Sequence, residues 1–202
     1  MKSLKSILEA SILADIDDQL EYGDKEVLKI VIIKWLKDNV NSIDENKLKF
    51  DFNTTPMTVN YDGDIHFKKH ITSLTSETFQ WSVIGGNFNC SFCKSLKSLE
   101  DAPKEVGGDF NCSCCKLLTS LKGAPERVGG YFDCSNCDSL KSLKGAPKEV
   151  RKYFDCSFCE SLKSLDGAPK SIEGWFGCTE CGENFTEDYV KKVSKVKGKI
   201  YC

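Results

Sequence analysis

The fold class predicted from this sequence is α/β: a solenoid of stacked coils sharing a parallel β-sheet, with non-repeating segments at both ends. Three observations predict it. Phenylalanine recurs at Phe88, Phe110, Phe132, Phe154 and Phe176, a constant spacing of 22 residues. Each ring opens the phrase aromatic-x-Cys-x-x-Cys, and in all but the last the phrase continues x-x-Leu-x-x-Leu. Ala-Pro follows at Ala102, Ala124, Ala146 and Ala168, then a polar stretch ending in Val or Ile. A fixed period in this range marks units that bury their apolar sides only against one another.

The spacing within one unit assigns its faces. Phe132 and Cys134 are two residues apart and share one face of a strand. The charged Asp133 between them makes that face the inner one. Cys137, Leu140 and Leu143 then recur every third residue, as in a loose arc with one side inward. Pro147 forbids a helix through that point. Gly129 and Gly130 are expected to let the chain turn sharply toward the next strand. Stacked coils place like residues over like and form one continuous core.

The stretch from Gly129 to Leu140 resembles the leucine-rich repeat family, whose pattern is L-x-x-L-x-L-x-x-N/C-x-L. Phe132 and Cys134 take the second and third apolar positions, and Cys137 takes the Asn/Cys ladder position in a longer Cys-x-x-Leu form. Gly129 replaces the first leucine, with Val128 one place earlier. The trailing Ala-Pro is similar to the Leu-Pro segment of the short-repeat bacterial class, and such Cys-rich repeats occur in proteins of bacteria and their phages. The resemblance covers residues 64–181 and implies a leucine-rich-repeat solenoid of about six coils. It also implies a phage or bacterial factor that binds a host protein, for example a defence component.

The chain divides into an N-terminal cap over 1–63, the solenoid over 64–181 and a C-terminal cap over 182–202. Leu4, Ile7, Leu8, Ile12 and Ile16 fall at helical spacing within 2–22. Gly23 is read as the end of that helix and Asp24 as the cap of the next, whose stripe is Val27, Leu28, Val31, Ile32, Trp35 and Leu36. Such helices cover the open end of a solenoid; the rival role is partner binding or oligomerisation. Leu48, Phe50 and Phe52 alternate as in a half-buried strand, and Pro56 breaks the run. Val59 to Phe67 is read as a β-hairpin about Asp62-Gly63. Ile65 precedes Phe88 by 23 residues, and His70 to Leu74 imitates the leucine end of a unit, so a degenerate first coil is expected here. Beyond Cys181, Thr186 caps a short helix carrying Val190, Val193 and Val196. Gly198 is read as its end and Ile200 to Cys202 as a last strand.

Composition narrows the function. Hydrophobic content of 40% and charged content of 29% suit a folded domain. A net charge of −2 supplies no basic field, so nucleic acid is not an expected partner. No apolar run nears the roughly 20 residues of a membrane span. The opening Met1-Lys2-Ser3-Leu4-Lys5 lacks the apolar stretch of a secretory signal. The expected location is the cytoplasm of a bacterial or phage-infected cell, with reduced thiols.

Twelve cysteines comprise five Cys-x-x-Cys pairs plus Cys114 and Cys202. Cys134-x-x-Cys137 and Cys156-x-x-Cys159 match a zinc-ribbon spacing, so a metal-binding protein is one alternative. Four thiolates must converge to about 2.3 Å from zinc. Stacked coils instead translate the pairs by about 4.8 Å each. Thiols packed as small hydrophobes account for all ten at once, and no metal or cofactor is expected. Cys114 and Cys202 are expected to be the exposed, oxidisable thiols. His66 and His70 adjoin no nucleophile motif, and the Gly-Gly pairs lack the Lys-Ser/Thr of a phosphate loop. No enzymatic activity is expected.

The informative surface is the strand face turned away from the core. One column there is Asn87, Asp109, Tyr131, Tyr153 and Trp175; the next is Asn89, Asn111, Asp133, Asp155 and Gly177; a third is Ser91, Ser113, Ser135, Ser157 and Thr179. Exposed Tyr and Trp are the side chains that anchor protein contacts. The expected partner is therefore a protein, held by Tyr131, Tyr153, Trp175, Asp133 and Asp155, with Asp109 and Asn111 beside them. The bland reading is that the rings shield the strand and the polar columns solvate it. Lys94, Lys97, Lys116, Lys141 and Lys163, mixed with Asp138 and Glu160, read as a solvated rim. The other alternative is a structural or virion-associated component attached through its N-terminal helices.

Overall fold

The structure, a computed structural model, describes residues 22–54 and 56–202. The helix expected over 2–22 lies, but for its last residue, outside them. Helix α1 (Tyr22–Asn39) includes Gly23 and Asp24, so the expected break at Gly23 is corrected. A glycine costs a helix about 1 kcal/mol. Burial of Ile32 and Leu36, both fully enclosed, outweighs that. Leu28 and Trp35 pack partly against the same core, but Val27 faces out.

A short 3-10 turn (Glu45–Lys47), capped by the Asp44 side chain, leads into β1 (Leu48–Asp51). β1 pairs antiparallel with β2 (Thr58–Tyr61). The chain then crosses at Asp62–Asp64 to β3 (Ile65–His66), which lies in a different sheet. The hairpin expected over Val59 to Phe67 is therefore a corner. Val59, Tyr61, Ile65 and Phe67 are all buried, and a corner turns both strands toward one core.

From here each coil gives one short strand to each of two sheets. The first sheet runs β1, β2, then β4 (Gln80–Ile84), β6 (Glu105–Val106), β8 (Arg127–Val128), β10 (Glu149–Val150), β12 (Ser171–Ile172) and β14 (Lys195–Val196). The second runs β3, β5 (Phe88–Asn89), β7 (Phe110–Asn111), β9 (Phe132–Asp133), β11 (Phe154–Asp155), β13 (Phe176–Gly177) and β15 (Ile200–Tyr201). Apart from β1–β2, neighbouring strands are parallel; the register shifts once, between β2 and β4, and from β5 to β13 it sets Phe over Phe. The result is a parallel-strand solenoid of about seven turns rather than about six, because the C-terminal segment adds a rung of its own.

That segment holds α2 (Glu187–Val193), whose first turn is capped by Thr186 Oγ1 accepting from the Tyr189 N–H at 3.2 Å. The helix stops before Val196, contrary to expectation. Val196 lies in β14 opposite Ile172, and Gly198 occupies a corner where a Cβ would come 2.6 Å from the Gly174 backbone. Both sheets thus continue to the last strand. At the other end, Val40 bridges Phe67, while Asn41 N–H donates to His66 and Lys68 N–H to Asn39, so the stretch after α1 pairs with the edge at β3. Trp35 meets Phe67 and Phe79 edge-on at 6.5 and 5.5 Å.

The core is a set of ladders. Phe88, Phe110, Phe132 and Phe154 stack nearly parallel with centroids 5.3, 5.0 and 5.4 Å apart. The paired Cys and Leu of these coils are fully enclosed beside them. Each enclosed Phe and Leu contributes about 1.5–3 kcal/mol by leaving water. Between the two cysteines of every pair the backbone passes through a left-handed residue: Phe92, Cys114, Asn136, Phe158 or Glu180, with φ from 51° to 59°. The Gly-Gly corners bend the chain without left-handed backbone. They are small because coils press together there. Where Arg151 enters that column its N–H bond to the coil below stretches to 3.3 Å, against 2.8 Å at Gly129.

Candidate functional site

Around β9 the buried Phe132 and Cys134 leave Tyr131 and Asp133 half-buried on the outer side, while the serine of the third column, Ser135, is itself buried, as are Ser113 and Ser157. Sheet register repeats this in every coil and builds columns. The first column begins as a polar ladder. Asp64 Oδ1 accepts the Asn87 N–H at 2.6 Å, Asn87 Oδ1 that of Asp109 at 2.7 Å, and Asp109 Oδ1 that of Tyr131 at 3.0 Å. At Tyr131 the column turns aromatic. Tyr131 stacks on Tyr153 at 4.6 Å and 9°, and Tyr153 on Trp175 at 4.2 Å and 6°. All three rings are half-buried. Tyr201, opposite Gly177 in the neighbouring column, closes the row edge-on to Trp175 at 5.6 Å. Burial, then the adjacent Tyr131, pushes the Tyr153 phenol up to about 12.

The second column has a job in every coil. Asn89, Asn111, Asp133 and Asp155 each accept the N–H of the serine two residues on, at 2.9 Å. This closes the turn before the left-handed residue, and an amide serves it as well as a carboxylate. Burial raises the Asp133 carboxyl above its ordinary range, and Asp155, directly opposite in the sheet, adds to the rise. Among the described residues no Lys or Arg lies within ion-pair distance of Asp133 or Asp155. Asp109 differs, with Lys152 Nζ at 3.4 Å.

The two columns meet at Gly177. A Cβ there would lie 2.7 Å from Asp155 Oδ1, 2.9 Å from Trp175 Cζ3 and 3.0 Å from Ser157 Oγ. The indole and the Asp155 carboxylate therefore both border the space that a side chain at Gly177 would fill.

The structure thus gathers Tyr131, Tyr153, Trp175, Asp133 and Asp155 into one patch. Asp109 and Asn111 lie at its margin with their side chains committed to backbone N–H groups. Two neighbours were not singled out from sequence. Tyr201 is 47% exposed; the helix inserted before β14 lengthens the period to 24 and hides its register. Phe158 is 50% exposed and stands on the same rung as Tyr153 and Asp155. Its signal was an aromatic residue at a place where Asn136 shows what the turn prefers.

The cysteines form their own ladder. The second thiol of a pair donates to the carbonyl of the first cysteine one coil earlier: Cys115 to Cys90 at 3.2 Å, and Cys137 to Cys112, Cys159 to Cys134 and Cys181 to Cys156, each at 3.3 Å. Burial pushes Cys93 and Cys159 up to about 12 and Cys112 and Cys134 well above the thiol range. Among the described residues no group of three or more His, Cys, Asp or Glu is placed to hold a metal ion. Cys202 is exposed, as expected, but Cys114 is half-buried and its thiol is raised by burial. His66 and His70 are both exposed.

The outer side of the first sheet is different in kind. Exposed opposite charges pair from coil to coil there, Lys148 with Glu126 at 3.0 Å and Arg127 with Glu105. Among the described residues no helix is long and apolar enough to cross a membrane. Comparisons with protein-family models, curated proteins and solved structures found no match.

Proposed function

We propose that the chain is a non-catalytic protein-binding module of the leucine-rich-repeat kind, and that it grips its partner with the outer face of the second sheet. One observation carries this reading: both columns change character at the same coils. Stability alone favours the polar ladder, which satisfies a backbone N–H in each coil, and neutral Asn in the second column. From β9 onward the chain instead sets out Tyr131, Tyr153 and Trp175 beside Asp133 and Asp155. Like charges directly opposite in a sheet are destabilising. Rigid, half-exposed Tyr and Trp are the anchors that dominate protein interfaces.

The repeat identity is supported by the period of 22 and by a Cys at the Asn/Cys position, where the Cys137 thiol donates to the Cys112 carbonyl of the coil before it. The resemblance to bacterial and phage repeats suggests the setting, a cytoplasmic factor directed at a host protein such as a defence component. The test is quantitative affinity capture from the native host. Wild type enriches a partner, and Tyr131→Ala/Tyr153→Ala/Trp175→Ala loses it while keeping its circular dichroism and cooperative melt. Unchanged capture by the folded triple variant rejects this face as the site.

A second reading, a structural or virion-associated component attached through α1, is favoured by the exposure of Ile30 at 65% and Val27 at 45%. Copy number in purified particles separates the two, since an attached component appears there in fixed stoichiometry.

A further inference from the structure

We propose that the patch selects an arginine-bearing segment of its protein partner. A guanidinium bridges Asp133 and Asp155, and the side-chain stem lies along the ring edges of Tyr131, Tyr153 and Trp175. This rests on the reading of the face as a binding site and adds the chemistry it recognises. The second column supplies an internal control. Asn89 and Asn111 close the same turn with the same 2.9 Å bond, so the turn does not require a charge. The negative charges appear only at Asp133 and Asp155, the coils that also carry the tyrosines. They face each other one strand apart, about 4.8 Å by sheet geometry, and partly out of water. Each meets the serine of its own coil and, among the described residues, no cation.

A pair of desolvated like charges is relieved by a shared cation. An acidic partner would be repelled, and a neutral one would leave both carboxylates buried without compensation. Arginine fits better than lysine. Its planar fork presents donors in two directions and can reach both carboxylates, whereas an ammonium is a compact, strongly hydrated point charge. The Trp175 edge, which borders the same Gly177 space as Asp155, offers an apolar surface for the stem. Lys152, held by Asp109, lies toward the N-terminal side of this strip, and Lys199, in register beyond Trp175, toward the other. They restrict the anionic surface to the two coils between.

The test uses the full chain and a flexible Gly-Ser peptide carrying spaced arginines, titrated by calorimetry at about 0.15 M ionic strength, where long-range attraction is screened. Matched peptides carry citrulline, lysine or glutamate instead. The arginine peptide is expected to bind saturably, the lysine peptide more weakly, and the citrulline and glutamate peptides not at all. Asp133→Asn/Asp155→Asn is expected to lose roughly tenfold or more in affinity, with its thermal unfolding unchanged or raised. Glu149→Gln, on the other sheet, leaves binding unchanged. Absence of saturable arginine-peptide binding, equal binding of the citrulline or lysine peptide, or full binding by the double Asn variant overturns the inference. The two readings remain separable. A double Asn variant that keeps the host partner while the triple alanine variant loses it removes the arginine assignment and leaves the face. A triple alanine variant that keeps the partner removes both.

Discussion

At Gly123, Gly145 and Gly167 the backbone passes through φ of 87° to 93°, and the coil of Phe88 reaches the same place with Asp101 at 73°. A left-handed residue with a Cβ costs about 1–2 kcal/mol. Asp101 offsets little of this, since its contact with Gln80 is exposed and 3.5 Å long. Asp101→Gly is therefore expected to stabilise the protein by about 1 kcal/mol. Gly145→Ala meets the same backbone cost plus a collision, because its Cβ would lie 2.6 Å from the Leu121 carbonyl carbon. It is expected to destabilise by more than about 2 kcal/mol. Urea unfolding midpoints of the two variants check both signs, and a destabilised Asp101→Gly would show that the Gln80 contact outweighs the strain. The same logic marks Phe92 and Phe158, whose bulky side chains occupy a turn that Asn136 fits at lower cost.

At the scale of strands, the inner face was legible because the period repeats it five times. Every Phe, Cys and Leu placed inward by spacing is buried, from Phe88 to Leu165. The first sheet was not legible. Glu149–Val150 and its equivalents are two residues long, too short to show alternation, so Val128 and Val150 read only as ends of a polar stretch. The Val59 to Phe67 corner was missed because an Asp-Gly turn between apolar residues looks the same whether the strands pair or part. In the candidate site the columns followed from strand geometry. The Asx bonds that give Asp133 a structural role did not, since they depend on the turn that follows. That role makes a pH prediction. Burial raises the folded-state pKa of Asp133 above its unfolded value near 3.9. The folded state then binds the proton more tightly, and stability falls as pH rises from about 3.9 through the raised pKa. Asp133→Asn keeps the turn bond without the charge. It is expected to raise the melting temperature at neutral pH, with the gain shrinking to nothing below about pH 4. A gain that persists in acid would locate its cause elsewhere.

For the molecule as a whole, one interior runs from the Trp35 end to the last rung, and nine of the twelve cysteines are buried in it. These thiols are packing atoms that also titrate. In the unfolded chain they ionise near 8.5. In the folded chain burial holds Cys93 and Cys159 near 12 and pushes Cys112, Cys134 and Cys137 well up. Above about pH 8.5 the unfolded state therefore releases protons that the folded state keeps. Each such thiol subtracts up to about 1.4 kcal/mol of stability per pH unit across that window. Coils contact only their neighbours, so the loss is spread along the stack and acts on all of it together. The exposed ion pairs of the first sheet cannot offset this, being worth little singly. The unfolding midpoint in urea is expected to stay level between about pH 6 and 8 and then fall steeply as the unfolded thiols ionise. Cys112→Ala/Cys134→Ala should be less stable at neutral pH, from lost packing, yet show a shallower alkaline slope, because two titrating groups are gone. An alkaline slope as steep in that variant as in wild type would mean that groups other than the buried thiols set the limit.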